Sequence, residues 1–134
     1  MLKETPREII FIRAEVDVLA DHCEAIVEVK SQRVGSFTGT AQGGINTTDQ
    51  LRAVARATSD ALSDAFKAEG ARVRVIGVQL VDAVAQTAVV VSLATSAGEH
   101  TKTLLGISDG TSDPAKATAL AVLNATNRFL GRGA

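Results

Sequence analysis

One order of patterns runs twice along this chain, and that repetition constrains the fold more than any single motif. Thr48-Asp49-Gln50-Leu51-Arg52-Ala53 lies over Ser112-Asp113-Pro114-Ala115-Lys116-Ala117 at an offset of 64, which also holds for Ala57/Ala121 and Ala61/Ala125. Gly39 precedes the first segment and Gly106 the second, with three extra residues assigned to the first loop. Further back, Glu24-Ala25-Ile26-Val27-Glu28-Val29 lies over Thr87-Ala88-Val89-Val90-Val91-Ser92 at offset 63. A chain of 134 residues has the length of one domain, and no Gly/Ser/Pro-rich linker divides it. The expected organisation is a single domain over residues 1–134 with an internal repeat, about 8–70 and 71–131.

Each half reads as three strands and a helix. In the first, Ile9 to Val18 is rich in β-branched residues, and Ala20-Asp21-His22 reads as a turn. From Ala25 to Lys30, Ala25, Val27 and Val29 alternate with Glu28 and Lys30, the period of a half-buried strand. Arg33 to Ala41 is a third strand, in which Gly35 and Gly39 weaken pairing or mark a bulge. A helix near 48–68 starts at Thr47 or Thr48, either of which caps it. Its apolar stripe is Leu51, Val54, Ala55, Thr58, Leu62, Ala65 and Phe66, with Arg52, Arg56, Ser59, Asp60, Ser63 and Lys67 on the other face. Gly70 follows it, where a left-handed residue is commonly needed.

The second half gives strands at Arg72 to Asp82, Thr87 to Thr95 and His100 to Ile107, with a turn at Ala97-Gly98-Glu99. A helix over 113–130 opens with Asp113 as cap and Pro114 at its first position, and Gly131 stops it. The middle strand carries Val89, Val91 and Leu93 on one face and Ala88 and Val90 on the other, as expected of a strand that is central or covered on both sides. The fold class is α+β: two βββα repeats, antiparallel sheets with helices on one face.

Composition excludes several functions. Lys+Arg total 14 against 15 Asp+Glu, and there is no Trp or Tyr, so no charge excess attracts phosphates and few rings stack on bases. No apolar run approaches a membrane span, and the opening Met1-Leu2-Lys3-Glu4-Thr5-Pro6-Arg7-Glu8 lacks the pattern of a secretory signal. Cys23 is the single cysteine and fits a reducing compartment. Nucleic acid and membrane are therefore not expected partners, and the expected location is cytoplasmic.

The glycine-bearing crossing Gly39-Thr40-Ala41-Gln42-Gly43-Gly44-Ile45-Asn46-Thr47-Thr48-Asp49-Gln50-Leu51 resembles that of the C-terminal regulatory domain of 2-isopropylmalate synthase. Gly106-Ile107-Ser108-Asp109-Gly110-Thr111-Ser112-Asp113 and Leu123-Asn124-Ala125-Thr126-Asn127-Arg128 resemble that family's second crossing and closing helix. The resemblance implies two βββα units that dimerise, bind an end-product amino acid at the dimer interface and inhibit a separate catalytic barrel. No such barrel is present in this chain, so the resemblance implies ligand binding or pairing and no synthase activity.

Candidate chemistry is sparse. His22 stands in a turn beside Cys23 and Glu24, with His100 distant in sequence, which is poor material for a metal site; none is expected, nor any cofactor. Glu24 and Glu28 share a strand face but read as solvated, and Cys23 as a packed thiol. No catalytic residue is assigned. Gly43, Gly44 and Gly110 each precede a helix start, where exposed N–H groups bind carboxylate or phosphate, although glycine also simply permits a tight turn. Asp113 already occupies the donors of the second start, so the first loop is the better anion site. Asn124 and Asn127, amides on a largely apolar helix, must cap a neighbouring strand, pair across a dimer or touch a ligand. Arg52 and Arg56 lie one turn apart, where they grip an acidic partner or simply sit solvated. The candidate ligand-binding set is Gly43, Gly44, Asn46, Thr47, Gly110 and Asn127.

The expected function is that of a non-catalytic small-molecule-binding or regulatory domain. It is expected to be a homodimer, to take a ligand such as an amino acid and to act on a partner enzyme. The alternatives are a small enzyme with its active site at a subunit interface, or a purely structural pairing module. Val89, Val90 and Val91 are apolar on both strand faces, which places the dimer contact in the second half.

Overall fold

The computed structural model describes residues 9–32 and 35–130. The expected features of residues 1–8, the strand start at Arg33 and the helix stop at Gly131 lie outside them. The elements are β1 (Ile9–Val18), β2 (Cys23–Ser31), β3 (Gly35–Gly43), α1 (Thr47–Ala65), β4 (Ala71–Ala83), β5 (Gln86–Ala97), β6 (His100–Asp109) and α2 (Pro114–Leu130). A short 3-10 turn, Lys67–Glu69, follows α1 and ends at Gly70, whose φ of 71° is the left-handed conformation expected there. The arrangement is α+β, βββα followed by βββα.

β1-β2-β3 and β4-β5-β6 form two antiparallel three-stranded sheets, each a meander in chain order. In the first sheet Val27 faces Gly39, and in the second Val91 faces Gly106. These pairs set the offset of the middle strands at 64, the same as in the helices, so the strand alignment at 63 is corrected by one residue. A one-residue slip moves every side chain to the opposite sheet face. Ala25 therefore corresponds to Val89, both buried, and not to the half-buried Ala88 of the outer face. The true bulges are at Ile12, between Phe11 and Arg13, and at Ile76, between Val75 and Gly77, again 64 apart. An extra residue there bends each first strand and turns an isoleucine outward.

Gly39 and Gly106 are crossing points, not bulges. A Cβ on Gly39 would overlap the Ala57 carbonyl oxygen, and one on Gly106 the Ala121 carbonyl oxygen. Each helix rests its backbone on the third strand at a position only glycine allows. Alanine on the helix side makes the approach possible, which accounts for the Ala57/Ala121 match. The three extra residues of the first half lie at the start of the helix: α1 begins at Thr47, ten positions before Ala57, and α2 at Pro114, seven before Ala121.

Each helix also reaches across to the other half. α1 packs on β3, β2 and β4, and α2 on β6, β5 and β1, while the two helices touch each other. α1 is consequently buried beyond its apolar stripe: Ala53, Ala57, Ser59 and Ala61 are buried too, which corrects the placing of Ser59 on a solvent face. The core holds Leu62, Leu93, Val27, Val29, Val54 and Val122 with essentially no exposure. Burying such a side chain contributes roughly 1.5–3 kcal/mol. The buried helix threonines are satisfied within the helices: Thr58 Oγ1 donates to the Val54 carbonyl (2.7 Å) and Thr126 Oγ1 to the Val122 carbonyl (2.9 Å).

Two side chains join the halves reciprocally. Asn127 of α2 donates through Nδ2 to the Ile9 carbonyl (3.2 Å) and accepts from the Ile9 N–H through Oδ1 (3.3 Å). Ser63 of α1 donates through Oγ to the Val73 carbonyl (3.4 Å) and accepts from the Val73 N–H (3.1 Å). Ile9 and Val73 are equivalent at offset 64, as are Ser63 and Asn127. Each clamp ties one half's helix to the other half's first strand, so the repeats form one interlocked unit.

Candidate functional site

Gly43, Gly44, Asn46 and Thr47 come together where β3 passes into α1. The cap is Asn46, not Thr47 or Thr48: the Asp49 N–H donates to Asn46 Oδ1 (2.8 Å) and Asn46 Nδ2 donates to Asp49 Oδ2 (3.0 Å). Asn46 takes the extended backbone of a cap (φ −74°, ψ 162°), which puts both threonines inside the helix. The Asp49 carboxylate thus stands at the helix N-terminus and also lies against Gly44, where a Cβ would come within 2.5 Å of Asp49 Oδ2. A carboxylate already there opposes a bound anion. With Asn46 as the cap and Asp49 in the first turn, this helix start has no advantage over the second as an anion site.

Gly110 lies in the other loop, and its N–H donates to the Thr87 carbonyl (2.7 Å). Asp109 accepts from the Thr111 N–H (3.0 Å) and from Thr111 Oγ1 (2.7 Å), which lowers its pKa. Asp113 accepts from the Lys116 N–H (3.1 Å), as expected of the cap. This loop is closed by its own bonds. Asn127 serves as the strand clamp described above, one of the three roles open to it, and Asn124 is exposed.

The β1–β2 turn carries a charged cluster. His22 Nδ1 lies 2.7 Å from Asp21 Oδ1, its Nε2 lies 3.5 Å from Glu24 Oε2, and Gln42 Nε2 donates to Glu24 Oε2 (3.4 Å). The hydrogen bond to Asp21, then that to Glu24, raises the His22 pKa, while His22 lowers that of Asp21. Cys23 is free and buried on the inner face, pointing away from this cluster. No group of three or more His, Cys, Asp and Glu able to hold a metal occurs among the described residues. None of their helices is long and apolar enough to cross a membrane.

Sequence reasoning missed a groove of about 390 Å³ at the seam of the two halves. Its walls come from β3 (Ala41, Gln42), α1 (Arg56, Ser59, Asp60) and β4 (Val73, Arg74, Val75). Arg56 donates through Nη2 to the Gln42 carbonyl, spanning α1 and β3, so its guanidinium is engaged internally rather than only solvated. Asp60 and Arg74 have no hydrogen-bond or ion-pair partner among the described residues. The repeat would have located the seam, but only if the side-by-side placement of β3 and β4 were known.

The outer sheet faces differ sharply. The first bears Arg13, Glu15, Glu24, Glu28 and Lys30, with Arg13 paired to Glu28 and Glu15 at 3.1 Å each. On the second, Leu105 and Ile107 are 63% and 64% exposed, with Val81 38% exposed on the opposite edge strand, and Arg72, Arg74 and Asp109 share that face. No family model and no curated protein matches this chain.

Proposed function

We propose that this chain is a non-catalytic regulatory domain of the cytoplasm that binds a small molecule, pairs with a second copy and acts through a partner protein. The resemblance to the regulatory domain of 2-isopropylmalate synthase belongs to the same reading. The seam groove carries it. Asp60 and Arg74, the latter on the outer face of β4 at the groove's edge, supply opposite charges with no partner among the described residues, and Ala41, Val73 and Val75 supply a short apolar wall. A small molecule with a carboxylate, an ammonium group and an aliphatic chain, such as an amino acid, matches that combination. Bound between β3, α1 and β4, it would bias how the halves sit and so pass a signal to a partner. Gly43 keeps this end open: a Cβ there would stand 3.0 Å from the Asp49 carbonyl and 3.6 Å from Arg56 Nη2.

Thermal melts against amino acids, 2-oxo acids and nucleotides test the reading, with each compound also assayed for turnover. A ligand at a hundred times its Kd stabilises by about 2.7 kcal/mol, a shift of several degrees for a domain this size. The expected result is such a shift from an amino acid without turnover, abolished in Arg74→Ala. No shift from any class, or one that Arg74→Ala leaves intact, overturns it.

A further inference from the structure

The pseudo-twofold lays the seam groove over a second seam, where α2 meets β1, and the same positions carry different residues there. The clamps fix the correspondence: Ser63 on Val73 matches Asn127 on Ile9, so α1 and β4 map onto α2 and β1 at offset 64. The bulges after Val75 and after Phe11 keep the two strands in step. Three residues lining the groove then stand where the second seam has large apolar side chains: Ser59 for Leu123, Arg56 for Leu120 and Val75 for Phe11. Leu123 is buried, and Phe11 and Leu120 pack against the core. Lys116 of α2 holds its ammonium 5.9 Å from the centre of the Phe11 ring, and its equivalent on α1 is Arg52. The first seam therefore has a cation at the matching helix position and a valine in place of the ring. The Ser59 hydroxyl donates to the Arg56 carbonyl (3.0 Å), so its proton is engaged within the helix.

We infer that the amino acid taken by this groove is an aromatic one, whose ring occupies at the first seam the place that Phe11 occupies at the second. The inference rests on the groove being the ligand site and adds what the ligand's side chain must be. Arg74 points outward from β4 at the rim, whereas Val73 and Val75 face inward. A ligand with its carboxylate at Arg74 and its ammonium at Asp60 thus directs its side chain inward, toward Val75 and Ser59. A volume of about 390 Å³ lies within the range of small-molecule sites and admits a ring with its head group. A guanidinium stacks on an aromatic face and gains nothing comparable from an aliphatic chain, so Arg52 favours a ring over a branched alkyl group.

Thermal melts of the full chain titrated with L-phenylalanine, L-leucine and L-alanine test it. Phenylalanine should show an apparent Kd at least about tenfold below that of alanine, and below that of leucine. Arg52→Gln should weaken phenylalanine about threefold and leave leucine unchanged. Ser59→Leu with Val75→Phe installs the residues of the second seam and should abolish the phenylalanine response. Circular dichroism checks that this double variant is folded, and Val75→Phe alone replaces it if it is not. Leucine or alanine binding as tightly as phenylalanine overturns the inference and leaves the groove standing as an amino-acid site. So does a phenylalanine response that survives the filled seam, or an Arg52→Gln loss that leucine shares equally. No response from any of the three overturns the inference together with the amino-acid reading of the groove.

Discussion

Beneath α1, Val27 pairs with Gly39 and the helix backbone at Ala57 rests on that glycine; beneath α2, Val91, Gly106 and Ala121 repeat the arrangement. On the far sides of the same sheets the likeness ends. The first sheet shows water a lattice of Arg, Glu and Lys beside Ile10, and the second shows Leu105 and Ile107 beside Arg72 and Arg74. The inner faces share one problem, a helix lying against a strand with no room for a methyl group, and that problem has one answer. The outer faces meet different surroundings, so nothing forces them to agree.

The largest expected effect tests whether the inner faces are equivalent. Gly39→Ala and Gly106→Ala should each destabilise by about 3 kcal/mol, because the new methyl must displace a helix backbone. Urea unfolding of both variants measures this. A half that accepts its methyl at under about 1 kcal/mol ends the equivalence. Next come the clamps. Asn127→Ala strips two hydrogen bonds from the Ile9 backbone and should cost about 2 kcal/mol, and Ser63→Ala about 1 kcal/mol. If the double variant costs much more than the two together, the clamps act as one device; simple additivity would make them separate ones.

The smallest effect lies at the hairpin tips, where the first half uses charges and the second an apolar turn. Folding raises the His22 pKa, so the contribution of that group is full below its ordinary value of 6.5 and is lost as pH rises through the folded value. Folding lowers the Asp21 pKa, so its contribution is present above 3.8 and is lost as pH falls through its folded value. The difference in melting temperature between the unaltered chain and His22→Ala should therefore be visible at about pH 5.5 and vanish by about pH 8.5. A difference independent of pH would show that His22 acts by packing instead.

The architecture was legible because it is written locally. Alternation of Ala25, Val27 and Val29 with charged residues sets a strand, and the three-and-four spacing of Leu51, Val54, Ala55, Thr58 and Leu62 sets a helix. The register of the second middle strand was not legible, since Ala88 to Val91 is apolar at every position and has no polar residue to mark the outer face. The cap slipped for a similar reason, with Asn46, Thr47 and Thr48 in a row and all able to cap. The groove and the clamps were out of reach, because they join residues whose proximity is created by the packing of the two halves.

The two clamps look alike in space and are unlike along the chain. Ser63 and Val73 are ten positions apart, whereas Ile9 and Asn127 are separated by 118. Bringing the second pair together closes almost the whole described chain into a ring, at an entropic cost larger by on the order of 2 kcal/mol. The twofold symmetry of the folded object is thus broken by its own connectivity. One seam is sewn by neighbours, and the other is a long-range ring closure, a step whose entropy must be spent before its contacts return anything.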